Sequence, residues 1–201
     1  MDTGRSRRRV RRWSAIGAGA ALAGSLVALT TALPAEGHGW RAKATLRDTS
    51  GARIGTVRFE GDRHGTEVKV TVDGVSVGPD TFHGLHIHAN DGKAACDAST
   101  GFMNVGGHWN PTEKDHGLHR GDLPSVLIQA DGSGRAESVT GRFRPGALAG
   151  RAVILHAGPD NLANIPNRYA AGDPPVAGPD ADTKKTGDSG GRVACGIIVV
   201  D

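Results

Sequence analysis

From Trp40 to Val200 the sequence breaks into eight short stretches in which apolar and polar residues alternate and β-branched residues are frequent. They are Trp40–Asp48, Arg53–Glu60, Thr66–Asp73, His83–His88, Ser125–Ala130, Arg135–Gly141, Arg151–His156 and Cys195–Val200. Alternation with a period of two puts successive side chains on opposite faces, which is the pattern of a strand with one buried face. Turn-forming clusters punctuate them at Asp48–Gly51, Glu60–Gly65, Val77–Asp80 and Asp131–Gly134. The 31 glycines scattered among these runs favour turns and β-structure over long helices. Eight short strands of this kind predict an all-β domain, either a sandwich or a closed barrel. The 201 residues suffice for one such domain and not comfortably for two.

Two segments break the pattern, Ala89–Pro124 and Ala157–Ala194. Connections this long in a compact domain are functional or disordered. The first is dense in His and Asp, which argues for function. The second is rich in Gly, Pro and Asp, and its Asp173–Asp182 portion (DPPVAGPDAD) reads as a flexible linker.

The N-terminus is of a different character. Six of the 24 basic residues and one of the 21 acidic residues lie in residues 1–35, so the rest carries 18 basic and 20 acidic residues, a net charge of −2. The basic excess belongs to the leader, and the body has no charge suited to nucleic acid. An arginine-rich start, an uncharged Ala/Gly/Leu-rich run from Ser14 to Ala35, and small residues at Ala32 and Ala35 predict a signal peptide over residues 1–35. The domain then spans residues 36–201 and is secreted, outside the cytoplasmic membrane, with no stable membrane insertion after cleavage. An uncleaved anchor is the alternative, and the route, Sec or twin-arginine, stays open. Two cysteines in an exported chain, Cys96 and Cys195, most simply form one disulfide.

Six of the nine histidines are not scattered. His86 and His88 stand two apart on a strand and so point to one face. His108 follows in GGHWNP, His116, His119 and Asp122 in DHGLHRGD, and His156 ends an apolar strand. Imidazole suits copper and zinc, and a carboxylate completes a tetrahedral zinc site. His116, His119 and Asp122 can fold back onto one ion; His86, His88 and His156 define a second; His108 can serve both. His38, His64 and His83 have no such partners and read as surface or packing residues, His83 facing away from the His86–His88 pair by its odd offset.

Taken in order, GLHIH, GGHWNP, HRGDL, AVILHAG, NIPNRY and TGDSGGRVACGIIVV resemble bacterial members of the copper–zinc superoxide dismutase family, from about Trp40 to Asp201. The resemblance implies an eight-stranded Greek-key β-barrel with two long functional loops. It implies conversion of superoxide to oxygen and hydrogen peroxide by Cu(II)/Cu(I) cycling beside an imidazolate-bridged zinc. Copper would be held by His86, His88, His108 and His156, and zinc by His108, His116, His119 and Asp122, with His108 as the bridge. Asp160 would link a copper histidine to a zinc histidine, Arg192 would guide superoxide, Thr186 would narrow the channel mouth, and Cys96–Cys195 would be the family disulfide. Family members occur as monomers and as homodimers. Two departures stand out. Only two residues separate His116 from His119, a shorter zinc subloop than in eukaryotic members, and the segment from Ala157 to Gly191 is longer than theirs, its NIPNRY portion matching the bacterial type and its Asp173–Asp182 portion matching no motif of the family. The chief alternative is an exported copper carrier on the same fold, which would need the copper histidines but not Arg192. A zinc-stapled structural domain leaves the His86–His88 pair and His156 unexplained.

Overall fold

The computed structural model describes residues 40–61 and 64–201. Eight strands close into an antiparallel barrel: β1 (Arg41–Asp48), β2 (Arg53–Gly61), β3 (Thr66–Val72), β4 (Thr81–His88), β5 (Asp122–Ile128), β6 (Gly134–Thr140), β7 (Ala152–His156) and β10 (Arg192–Val200). The strand order around the barrel is β1-β10-β7-β4-β5-β6-β3-β2. Hairpins join β1 to β2 and β2 to β3. The crossing from β3 to β4 puts β3 beside β6 instead, which is the Greek-key arrangement. Closure leaves no open edge among these strands. The predicted leader lies outside the described residues, as does His38.

Inward-facing positions fill the barrel. Leu46, Val57, Phe59, Val68, Leu85, Ile87, Val126, Ile128, Val153, Leu155 and Ile198 are all buried in one cluster. Because Leu85 and Ile87 face inward, alternation turns His86 and His88 to the outer wall, and Leu155 does the same for His156. That wall is not left to water. A second cluster sits on it, made of Phe102, Val105, Ala152, Ile154 and Cys195. Phe102 and Val105 belong to the first long loop, so the loop brings its own small core onto β7 and β10. The Cys96–Cys195 disulfide ties it there.

Two strands begin three residues earlier than their sequence pattern indicates, both at β-bulges. In β5 the register steps from His83↔Val126 to Leu85↔Leu123, one extra residue around Pro124. Proline cannot donate to the ladder, and a bulge is a place where it does no harm. The strand therefore runs through Pro124 and reaches Asp122, which pairs across from His86. In β10 the step from Ala194↔Leu155 to Arg192↔His156 leaves Val193 as the extra residue, and sets Arg192 opposite His156. Bulges gather beside active sites because they re-aim a side chain. Here each one brings a further charged residue to the histidines.

The segment Asp173–Asp182 is not a featureless linker. Ala170–Ala171 (β8) pairs with Val176–Ala177 (β9) in a small hairpin whose second strand lies within the segment. Asp180 accepts from the backbone N–H groups of Asp182 and Thr183 at 3.0 and 2.8 Å, starting the short helix α1, Thr183–Thr186. The Lys184 carbonyl then accepts from the His116 backbone N–H at 2.7 Å. The inserted segment thereby joins one long loop to the other beside the histidines.

Candidate metal centre

Six histidine rings and two carboxylates converge where β4, β7 and the two long loops meet. Backbone bonds fix the frame. His88 and His108 form a β-bridge, Ile87 accepts from Trp109 N–H at 2.8 Å, and Gly121 accepts from Ile87 N–H at 2.8 Å. The loop residue His108 is thus held in register with β4 as if it were a strand residue.

Hydrogen bonds then assign a proton to one nitrogen of most rings. A carbonyl or carboxylate oxygen only accepts, so the nitrogen facing it carries the proton. His88 Nδ1 donates to the Gly106 carbonyl at 2.8 Å and His156 Nδ1 to the Gly190 carbonyl at 3.1 Å. Their Nε2 atoms are left bare and face each other at 3.4 Å. His86 Nε2 donates to Asp160 at 2.7 Å, and His116 Nε2 to the same carboxylate at 2.8 Å. Asp160 thus links the two rings and leaves the Nδ1 of each without a hydrogen-bond partner among the described residues.

Asp122 is oriented in the same way. Its Oδ2 accepts from the backbone N–H groups of Gly117 and His119 at 2.7 and 2.9 Å. Its Oδ1 lies 3.4, 3.3 and 3.2 Å from the Nδ1 atoms of His108, His116 and His119. None of these contacts has hydrogen-bond geometry. Five buried atoms (His86 Nδ1, His108 Nδ1, His116 Nδ1, His119 Nδ1 and Asp122 Oδ1) consequently have no hydrogen-bond partner among the described residues. Burying one unpaired polar atom costs about 1–3 kcal/mol. Five together, facing one another, make a donor set that a cation could claim, and imidazole with carboxylate is the set that suits copper and zinc.

The donors fall into two groups. His86, His88, His108 and His156 offer ligand atoms within 4.8 Å of one another, as do His86, His108, His116 and Asp122. His119 reaches the second group through Asp122. Two residues, His86 and His108, are common to both. They differ in one respect: His86 has a nitrogen committed to Asp160, whereas neither nitrogen of His108 has a hydrogen-bond partner among the described residues.

Burial and charge set the protonation of the metal-free rings. Burial holds His108 down to about 4 and His156 to about 3, and pushes His86 and His88 below the ordinary 6.5. For His116 burial acts the same way, but the Asp122 and Asp160 carboxylates outweigh it and raise the ring to about 9. Burial also opposes ionisation of Asp122 and Asp160, and the facing imidazoles overcome it, holding both carboxyls below their usual range. The signs give a pH prediction for metal-free protein. Below about 6.5 the unfolded chain takes up protons that four of the buried rings refuse, so stability falls as pH drops toward 3. The His116 contribution is complete below about 6.5 and is lost as pH rises through 9. Urea midpoints should therefore peak near neutrality and fall more steeply on the acid side; a flat profile from pH 4 to 7 would count against this picture.

Beside the histidines lies an open cavity lined by His88, His108, His156, Thr186, Arg192 and Lys185, among others. Arg192 donates to the carbonyls of Phe102 and Gly106 at 2.6 and 2.7 Å, which holds the guanidinium at the cavity wall. Thr186 is exposed on the rim, its hydroxyl donating to the Asp182 carbonyl at 2.8 Å. His83 is fully buried away from both groups, its ring nitrogens 2.7 and 2.9 Å from the carbonyls of His156 and Gly78. His64 is exposed. Sequence reasoning missed Gly187. A side chain there would collide with the Asp160 carboxylate and the His116 ring, and its φ of +61° suits glycine. The TGD run in which it stands holds the only hint. It also missed Arg142, which sits in a connection of ordinary length.

Fold and donor set together place two overlapping histidine–carboxylate groups that could each hold a metal ion on the outer wall of a Greek-key barrel. Comparison with known proteins agrees. The copper/zinc superoxide dismutase (SODC) family model matches residues 53–198. The chain is 37% identical to "Superoxide dismutase [Cu-Zn]" of Mycobacterium tuberculosis, over 77% of this chain and 68% of that protein. It is 30% identical to "Extracellular superoxide dismutase [Cu-Zn]" of Brugia pahangi, over 78% of this chain and 74% of the relative. Among solved structures, the clock protein EA4 superposes with a TM-score of 0.60 at 29% identity, covering 81% of this chain and 95% of the other. The chain belongs to the copper/zinc superoxide dismutase family, a family of oxidoreductases whose metals are copper and zinc.

Proposed function

We propose that the protein is an exported superoxide dismutase, with copper held by His86, His88, His108 and His156 and zinc by His108, His116, His119 and Asp122. The observation that carries this reading is the set of five unpartnered buried donor atoms, together with the facing bare nitrogens of His88 and His156. When bound, copper supplies one-electron exchange with superoxide, and zinc, which has no redox chemistry, supplies a fixed positive charge.

The remaining roles belong to the chain. His108 would be the bridge, because of the two residues common to both donor groups it alone has no nitrogen committed to a hydrogen bond among the described residues. With Nδ1 directed at Asp122, its Nε2 is the atom that would take up a proton whenever copper did not hold it, and pass that proton to superoxide. Asp160 keeps the His86 and His116 rings in the tautomer that leaves Nδ1 free, the work of an outer partner in metal sites generally. Arg192 offers N–H groups and a permanent charge to a small anion entering the cavity, and Thr186 narrows the mouth opposite it. Export of the mature domain after removal of residues 1–35 is supported by the disulfide, a bond of oxidising compartments, and by the extracellular relative.

The test is the dismutation rate of copper- and zinc-loaded protein at several ionic strengths, for the parent chain and for Arg192→Ala. The parent should be fast and should slow with added salt. The variant should lose roughly tenfold or more, within the range electrostatic guidance supplies, and should lose most of the salt dependence. Stoichiometric copper binding with a rate no better than free buffer would move the protein to copper carriage. An unchanged salt slope in Arg192→Ala would remove that residue from guidance.

A further inference from the structure

The short zinc-side turn raises a physical question. Only Gly117 and Leu118 separate His116 from His119, so the turn has little length with which to brace itself. On its amide side the brace is Asp122, whose Oδ2 takes the N–H groups of Gly117 and His119. On its carbonyl side stands a residue from elsewhere. The Arg142 Nη1 donates to the carbonyls of His119 and Asp122, both at 3.0 Å, and its Nη2 donates to the carbonyl of Gly117 at 2.8 Å. The turn is therefore gripped between a carboxylate and a guanidinium, and two of the three gripped carbonyls belong to residues whose side chains supply donor atoms.

Arg142 has a firm base. Its own backbone N–H donates to Thr140 Oγ1 at 3.1 Å. Its neighbour Phe143 is buried in the barrel core, edge-on to Phe59 with ring centres 6.2 Å apart and 6.0 Å from the Trp109 ring centre. Thr66 Oγ1 donates to the Phe143 carbonyl at 2.7 Å. The guanidinium is thus mounted on the barrel wall, and its hydrogen bonds run to the turn. A planar fork that spans three carbonyls is a task lysine's single ammonium cannot reproduce.

We propose that Arg142 is a positioning residue for the zinc centre: it presets the 117–122 turn so that the Nδ1 atoms of His116 and His119 and the Oδ1 of Asp122 converge before metal arrives. This rests on the zinc assignment made above and extends it to a residue outside both long loops. Preorganised donors bind tightly because no ordering remains to be done on binding.

The experiment compares parent, Arg142→Ala and Arg142→Lys as full metal-free protein. Zinc affinity is measured by competition with a chromophoric chelator, cobalt(II) reports donor geometry through its visible absorption, and copper affinity is measured with the zinc side empty. Arg142→Ala should bind zinc roughly 10- to 100-fold more weakly, the scale typical of lost outer partners. Its cobalt spectrum should weaken and broaden, copper affinity should stay at the parent value, and Arg142→Lys should fall between. Parental zinc affinity in Arg142→Ala, or zinc and copper affinities falling together, would overturn the proposal. Should the alanine variant not fold, Arg142→Lys decides alone: weakened zinc binding at an unchanged melting temperature supports the role, and parental affinity ends it. A parent chain that binds no zinc would instead sink the zinc assignment, and the clamp with it.

Discussion

Replacing Cys96 with Ser should lower the free energy of unfolding by about 4–5 kcal/mol, measured on metal-free protein in urea. The bond joins residues 99 apart, and closing a loop of about 100 residues in the unfolded chain is worth about 4.7 kcal/mol in the loop-entropy picture. Metal must be removed first, because any ion bound only by the folded state adds its own stability. A second effect follows from where the bond sits. Cys195 packs with Phe102, Val105, Ala152 and Ile154, the cluster that seats the first long loop on the barrel. The same loop presents the Phe102 and Gly106 carbonyls that hold Arg192, and Gly106 also fixes the proton of His88. Loosening the loop should therefore carry the dismutation rate and its salt dependence toward those of Arg192→Ala. A stability change below about 1 kcal/mol would mean that the loop's own packing suffices without the bond.

Substituting His108 with Ala should cost more in activity than any other single change at the centre. It removes a donor from both groups and, on the function proposed above, the atom that delivers the proton. Loss of a positioned proton donor alone costs roughly 10²- to 10⁴-fold. The rate is to be read beside the metal content of the purified protein. Zinc should fall with one of its four donors gone, while His86, His88 and His156 still retain copper at reduced affinity. Unchanged turnover would remove His108 from the bridging role and leave His86, the other residue common to both groups, as the candidate. Asp160 would then need re-examination, since it occupies the second His86 nitrogen.

Much of this was legible in order and spacing. Alternation marked all eight barrel strands, with no boundary more than three residues from the observed one, because half-buried strands must alternate wherever one face meets a core. The His86–His88 pair had to share a face for the same reason. The odd offset of His83 separated it from them, and it is a packing residue with both ring nitrogens on carbonyls. Pairing of the two cysteines followed from their number.

The tertiary structure decided what depends on departures from regularity and on contacts distant in sequence. The bulges at Pro124 and Val193 bring Asp122 opposite His86 and Arg192 opposite His156. A bulge is a mismatch between two strands, so neither strand's sequence declares it. The segment Asp173–Asp182 reads as a linker because seven of its ten residues are Asp, Pro or Gly, which favour turns. Its structural meaning lies in a hairpin and in the Asp180 carboxylate, which starts the short helix whose Lys184 carbonyl is offered to His116. Arg142 is one arginine among many until the fold brings it 25 residues back along the chain, to the carbonyl of Gly117. Local pattern determined which faces are buried and which residue types can bind metal. Only the folded barrel with its two long loops decided which buried ring and carboxylate atoms were left without a hydrogen-bond partner, and those atoms are what make the cluster a candidate site.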